Sequence, residues 1–169
     1  MKKFLLAITL IATTTAGAFA QRFCYVDANK VLERVPEYKA AQDQLDQTAE
    51  KWKQDIAAEY AKVDDMYRKY QADEVLLDAT ARKQREDEIT AKEKNVRDLQ
   101  KQKFGPEGAL NKKRQELVKP IQDKVYAAIE QYAGEKGYEF IFDKASMTGM
   151  LFANPKQDKT DDIVKKLGY

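Results

Sequence analysis

An apolar residue recurs every 3.5 positions from Val31 to Leu77, and this constrains the fold more than any other feature of the chain. Stepping by alternating fours and threes gives Val31, Val35, Tyr38, Gln42, Leu45, Ala49, Trp52, Ile56, Glu59, Val63, Met66, Tyr70, Asp73 and Leu77, of which eleven of fourteen are apolar. Such a spacing, sustained over several heptads, is the seam of a coiled coil, because it keeps one narrow stripe of the helix against a partner helix. It predicts one long helix over 31–77, with Gln42, Glu59 and Asp73 interrupting its seam. That helix is broken at most near Pro36, which suits a first turn or an early kink.

The rest of the chain supplies the partner. In "LLDATARKQREDEI" both Asp78 and Thr80 are acceptable N-caps ahead of a charged, helix-favouring run, so a stop and restart is expected over Leu77–Ala81. The second helix has a sparse seam at first, with Ile89, Val96 and Leu99 among charges. It then recovers, with Leu110, Leu117, Ile121, Val125, Ala128 and Tyr132 on one face. Short strands bracket the helices: "RFCYV" at Arg22–Val26, and "YEFIF" at Tyr138–Phe142, entered through Gly134 and Gly137. A polar turn with Gly149 leads to "MLFA" at Met150–Ala153, so the last two strands are expected as a β-hairpin, ended by Asn154-Pro155. Thr160 is expected to cap "DDIVKKL", whose acids at Asp161 and Asp162 and bases at Lys165 and Lys166 suit the helix dipole.

Strands meeting in one small sheet force the two helices to leave and return to one place, so the arms are nearly equal. The strongest helix breaker is "KFGPEGAL", Lys103–Leu110, yet a turn at Gly105 gives arms of 77 and 30 residues. A turn at 77–81 gives arms of about 50 and 56 residues, each reaching on the order of 70 Å. The predicted organisation is therefore a body from 21–30 and 134–169 and a helical hairpin arm over 31–133, its tip near 77–81. The segment 104–109 becomes a break in the return helix, and a second break is expected at Pro120. Gly105, Pro106 and Gly108 then form either a fixed bulge or a hinge. The arm is thinnest in apolar residues between Arg82 and Gln102, which suits a distal region that moves and stays wet.

Composition narrows the chemistry. The first twenty residues, "MKKFLLAITLIATTTAGAFA", have the basic start, apolar run and Ala18-Phe19-Ala20 ending of a signal peptide cleaved after Ala20. The mature chain, beginning at Gln21, is expected to be soluble and exported. Cys24 is the sole cysteine, so an intramolecular disulfide, a zinc cluster and a redox pair lack partners. It is expected as a small buried hydrophobe. Histidine is absent and Ser146 is the only serine, which removes the usual general base and leaves no nucleophile with an oriented base. No enzyme, metal or cofactor is expected. Loss of Lys2 and Lys3 with the signal leaves 28 basic against 28 acidic residues. A nucleic-acid protein would show a basic excess, so no nucleic-acid partner is expected. Residues 21–81 carry net −4 and residues 82–119 net +5, the latter including Arg82, Lys83, Arg85, Lys112, Lys113 and Arg114. This split is expected to complement itself across the hairpin, the alternative being local positive charge.

The order strand, long helical hairpin, strand hairpin, short helix, with "YVDANKVLERVPEYKAAQDQL" at Tyr25–Leu45 and "GYEFIFDKASMTGMLFANPKQDKTDDIVKKL" at Gly137–Leu167, resembles the Skp/OmpH family of periplasmic chaperones. The specific part lies at the ends: "VDANKVL", "FDK" and the "NP...DKTDDIVKKL" tail. The resemblance implies a mainly α fold with a small β body, assembled as a jellyfish-like homotrimer whose three coiled-coil tentacles surround a cavity. It also implies an ATP-independent holdase of the periplasm, which binds unfolded outer-membrane β-barrel proteins and prevents their aggregation. The best-known members are strongly basic, and the neutral mature chain departs from them. That departure bears on any peripheral contact with membrane lipid or lipopolysaccharide.

Residue roles follow from pattern and resemblance together. About four short elements are too few for an independent core, so oligomerisation is expected on size alone. Phe23, Tyr25, Val26, Phe140, Phe142, Leu151 and Phe152 are expected in the trimer body core. A holdase needs an adaptable, partly apolar surface, and Tyr60, Met66, Tyr67, Tyr70 and Leu76 are its candidates on the arm. Ordinary seam packing is the competing role for Met66 and Tyr70. The alternative function is a periplasmic coiled-coil structural or adaptor protein engaging one folded envelope partner.

Overall fold

The computed structural model of the chain describes residues 22–169; the expected signal peptide and its cleavage point lie outside the described residues. The elements run β1 (Phe23–Val26), α1 (Ala28–Glu33), α2 (Pro36–Asp73), a 3-10 turn (Glu74–Leu76), α3 (Ala79–Phe104), α4 (Ala109–Lys136), β2 (Phe140–Asp143), a second 3-10 turn (Pro155–Gln157) and α5 (Thr160–Lys166). They form two compact units. Residues 22–31 with Ala127–Gly168 make a sheet unit, and Leu32–Tyr126 with Tyr169 make a hairpin unit.

In the sheet unit β1 and β2 pair in parallel, with Phe23 beside Phe140 and Tyr25 beside Phe142. This corrects the expected β-hairpin: residues 150–153 form no strand, and among the described residues the sheet has two strands. The partner taken instead is the segment at Asp158, which bridges Tyr25, with Lys159 N–H donating to the Tyr25 carbonyl at 2.9 Å. Chain entry into β2 is set by Gly137, whose φ of +66° is open to glycine at low cost. The Tyr138 N–H then reaches back to the Ala133 carbonyl and the Gly137 N–H to that of Gly134, closing α4 with a left-handed cap.

The conspicuous end motifs form one hydrogen-bonded network. The Asp27 carboxylate accepts from the Lys30 N–H and caps α1, while the Asp143 carboxylate accepts from the Ala28 and Ala145 N–H groups. Thr160 is a second correction. It is the first residue of α5 rather than its cap, and its hydroxyl accepts from the Asp27 N–H at 2.9 Å and donates to Asp158 at 2.6 Å. Burial pushes the Asp158 carboxyl up, but the Thr160 hydroxyl and N–H outweigh it and hold the group below its usual range. Beneath this network Cys24, Val26, Val31, Ile163 and Val164 are buried.

In the hairpin unit, Val35 is extended ahead of Pro36, as a residue before proline must be, and Pro36 opens α2. At 1.5 Å per residue the 38-residue α2 is roughly 57 Å long. Asp78 caps α3 by accepting from the Ala81 N–H at 2.8 Å. The residues 105–108 separate α3 from α4: Gly105 is extended before Pro106, and the Gly108 N–H donates to the Gly105 carbonyl at 2.8 Å. Opposite this break lies Trp52, edge-on to Phe104 at 6.3 Å with Lys103 over its ring at 4.7 Å. The break expected at Pro120 is absent, since α4 runs through it. Pro120 and Glu116, whose carbonyl loses its helical donor there, both lie on the exposed face, where water replaces the bond.

Every seam position from Val31 to Tyr70 is buried or half-buried. The packing nevertheless falls into two separate clusters. One joins Ala41 and Leu45 to Val118, with Tyr38, Leu110, Leu117 and Ile121 against them. The other joins Ile56 and Val63 to Ile89 and Val96, with Met66, Tyr70, Leu99 and Phe104 around them. The sparse apolar residues of α3 are thus well used, Ile89 and Val96 being 2% and 1% exposed.

Candidate binding surface

The seam interruption at Glu59 becomes a junction. Its carboxylate accepts from Lys62 one turn along α2 at 2.5 Å and from Lys92 across the hairpin on α3. These hydrogen bonds, Lys62 first and then Lys92, hold the Glu59 carboxyl down to about 2. A second cross-helix pair joins Lys124 to Glu37, with the Tyr169 hydroxyl donating to the same carboxylate at 2.7 Å. Other pairs, among them Arg68–Asp64, Arg85–Glu88 and Lys94–Asp98, run along a single helix. The opposite bias of the two arms is therefore joined directly at Glu59 and Glu37, while these other charges are balanced locally.

Three tyrosines of α2 reach across to α3. Tyr60 donates to Gln100 at 3.2 Å, Tyr67 to Glu93 at 3.0 Å and Tyr70 to Glu86 at 2.6 Å. The last bond stabilises the protonated phenol and pushes Tyr70 up to about 12. The five arm candidates thus divide. Met66 and Tyr70 pack on the distal cluster; Tyr60 and Tyr67 are 39% and 41% exposed with tethered hydroxyls; Leu76 is 82% exposed in the 3-10 turn. Sequence reasoning passed over Val75, which is as exposed as its neighbour Leu76. It also passed over Trp52 with Phe104, which only the antiparallel register brings together.

In the sheet unit the expected body residues divide as well. Tyr25 and Val26 are buried within the described chain. Phe23, Phe140 and Phe142 are 55%, 53% and 41% exposed and form a contiguous aromatic patch, Phe142 lying 6.4 Å from Phe23 and 6.3 Å from Phe140 between ring centroids. Leu151 is fully exposed and Phe152 nearly so. The half-exposed Met147 was not anticipated. Burial pushes the Cys24 thiol up, which makes it a poor nucleophile.

Comparison with known proteins matches residues 22–167 to the outer membrane protein (OmpH-like) family. An uncharacterised protein of Aquifex aeolicus (strain VF5) is 31% identical over 167 residues, covering 99% of this chain and 96% of that one. A crystal structure from Caulobacter crescentus CB15, assigned as an outer membrane chaperone (OmpH-like), aligns over 90% of this chain and 87% of its own with a TM-score of 0.69. At 16% identity that likeness speaks for the fold. The family match spans both units and all the network residues from Asp27 to Thr160, and the chain belongs to the OmpH-like outer membrane protein family.

Proposed function

We propose that the chain is an ATP-independent periplasmic chaperone that holds unfolded outer-membrane β-barrel proteins and prevents their aggregation, working as a homotrimer. The observation that carries this is the spacing of exposed apolar side chains along the hairpin: Tyr60, Tyr67, Val75 and Leu76. Many weak, adaptable contacts suit a client without fixed structure better than one shaped pocket does. Family membership supports the chaperone role, and the aromatic patch at Phe23, Phe140 and Phe142 supports a trimer contact in the sheet unit. Gly105, Pro106 and Gly108 serve, in this reading, as a hinge that adapts the hairpin to clients of different size. Lys112, Lys113 and Arg114 offer cationic surface for a peripheral lipid or lipopolysaccharide contact.

A periplasmic coiled-coil spacer engaging one folded partner is the second reading, favoured by the tethering of three tyrosine hydroxyls inside the hairpin. The two separate on promiscuity. The purified protein, added at one trimer per client, should suppress light scattering by several unrelated urea-denatured outer-membrane barrels on dilution. Failure with all of them would leave the spacer standing.

A further inference from the structure

Asp73 occupies a position where the 3.5-residue seam asks for an apolar side chain, and the packing registers the misfit. The distal cluster ends at Met66 and Tyr70 on α2 and Ile89 on α3, and beyond it the two helices leave a cavity of about 210 Å³. Its floor is buried Ile89 with half-buried Met66, Tyr70 and Leu77, while exposed Lys69, Asp73 and Arg85 stand around its mouth. An apolar cavity of roughly 150 Å³ is enough to take up benzene. The space here, apolar at Met66, Leu77 and Ile89 but bordered by charged Lys69, Asp73 and Arg85, has room for one aromatic side chain.

Charge at the mouth selects further. Lys69 and Arg85 face a single carboxylate of the lining, Asp73. Arg85 shares its charge with Glu88 at 3.3 Å, and nearby Glu86 is held by the Tyr70 hydroxyl. Lys69 is left as the cation open to an incoming anion. Val75 and Leu76, just before Leu77 in the chain, add exposed apolar surface next to the lining.

We propose that this cavity is a side-chain socket: it receives an aromatic side chain of an unfolded polypeptide whose neighbouring residue is acidic. The ring completes the seam against Met66 and Ile89, and the carboxylate meets Lys69 and Arg85. The polypeptide as ligand rests on the holdase reading, whereas the socket's chemistry stands on the cavity.

The chain has four methionines, so the ¹³C-labelled methyl of Met66, assigned through Met66→Leu, reports the floor of the socket directly. The mature protein is titrated with N-acetyl-Phe-Asp-amide, N-acetyl-Phe-Lys-amide and N-acetyl-Gly-Asp-amide. Phe-Asp should shift the Met66 signal saturably and leave Met147 and Met150 in place. Phe-Lys should bind several-fold more weakly, and Gly-Asp should produce no shift. Asp73→Leu, which fills the seam from within, should abolish the response, and Lys69→Ala should remove the preference for Phe-Asp over Phe-Lys while keeping the ring. A silent Met66 with Phe-Asp, or an undiminished response in Asp73→Leu, overturns the socket. Suppression of barrel aggregation by a protein whose Met66 stays silent overturns the socket alone. A saturable Met66 shift in a protein that protects no barrel supports the socket and removes the holdase reading.

Discussion

At the scale of single residues, buried or bridging polar groups carry specific consequences. Thr160→Val keeps the shape but removes the acceptor of the Asp27 N–H and the donor to Asp158. The cost of leaving such a group unpaired is about 1–3 kcal/mol, to be read from urea unfolding, and Thr160→Ser should recover most of it. Glu59 makes a prediction of opposite kind. Its folded carboxyl titrates near 2, below the ordinary 4.5, so its contribution is complete above about pH 4.5 and is lost as pH falls towards 2. Glu59→Gln should lower the thermal midpoint at pH 7, with the gap between the two proteins narrowing as pH falls from about 4.5 through about 2. Local sequence identified Asp27, Asp143 and Thr160 as a signature without revealing their bonds. The Thr160 hydroxyl is used 133 positions away, and a local cap motif carries no information about so distant a donor.

At the scale of elements, the seam was legible because heptad spacing is a physical requirement of two packed helices, and its buried positions follow it from Val31 to Tyr70. Two element expectations failed for lack of context. "MLFA" has strand-like residues but makes no ladder with β2; the added pairing goes to the Asp158 segment beside Tyr25 on β1, a long-range contact that local strand propensity does not report. At Pro120 the helix continues, and the carbonyl it leaves without a donor, that of Glu116, lies on the exposed face where the lost bond costs little. The break at 105–108 carries its own prediction. A Cβ on Gly105 would stand 2.5 Å from the Lys101 carbonyl oxygen, and one on Gly108 would stand 2.8 Å from the Gly105 backbone. Alanine therefore cannot enter the present backbone without moving it. Replacing Gly105, Pro106 and Gly108 together by alanine should narrow spin-label distance distributions across the distal hairpin. Unchanged distributions would mark a fixed bulge in place of a hinge.

For the whole molecule, the proposed trimer rests on the aromatic patch of the sheet unit. Phe140→Asp puts a charge beside Phe142 and should abolish the proposed trimer; analytical ultracentrifugation showing an intact trimer would refute that contact. Tyr25 and Val26 were grouped with these residues by strand alternation, yet they are buried within the chain. Alternation distinguishes two faces of a strand, but from Cys24 to Val26 both faces of β1 are covered and only Phe23 stays exposed. Legibility at this scale came from the end motifs, whereas the cavity at Asp73 was readable only as a flaw in the heptads until the opposite helix was placed. The tyrosine bonds have one further consequence. Tyr60 and Tyr67 are seven residues apart, and so are their partners Gln100 and Glu93, counted backwards. Equal seven-residue insertions or deletions on both helices bring the rungs and the seam back into register, with a length change of roughly 10 Å each time. Hairpin reach is thereby graduated in steps, lengthening or shortening by paired heptads without redrawing either end.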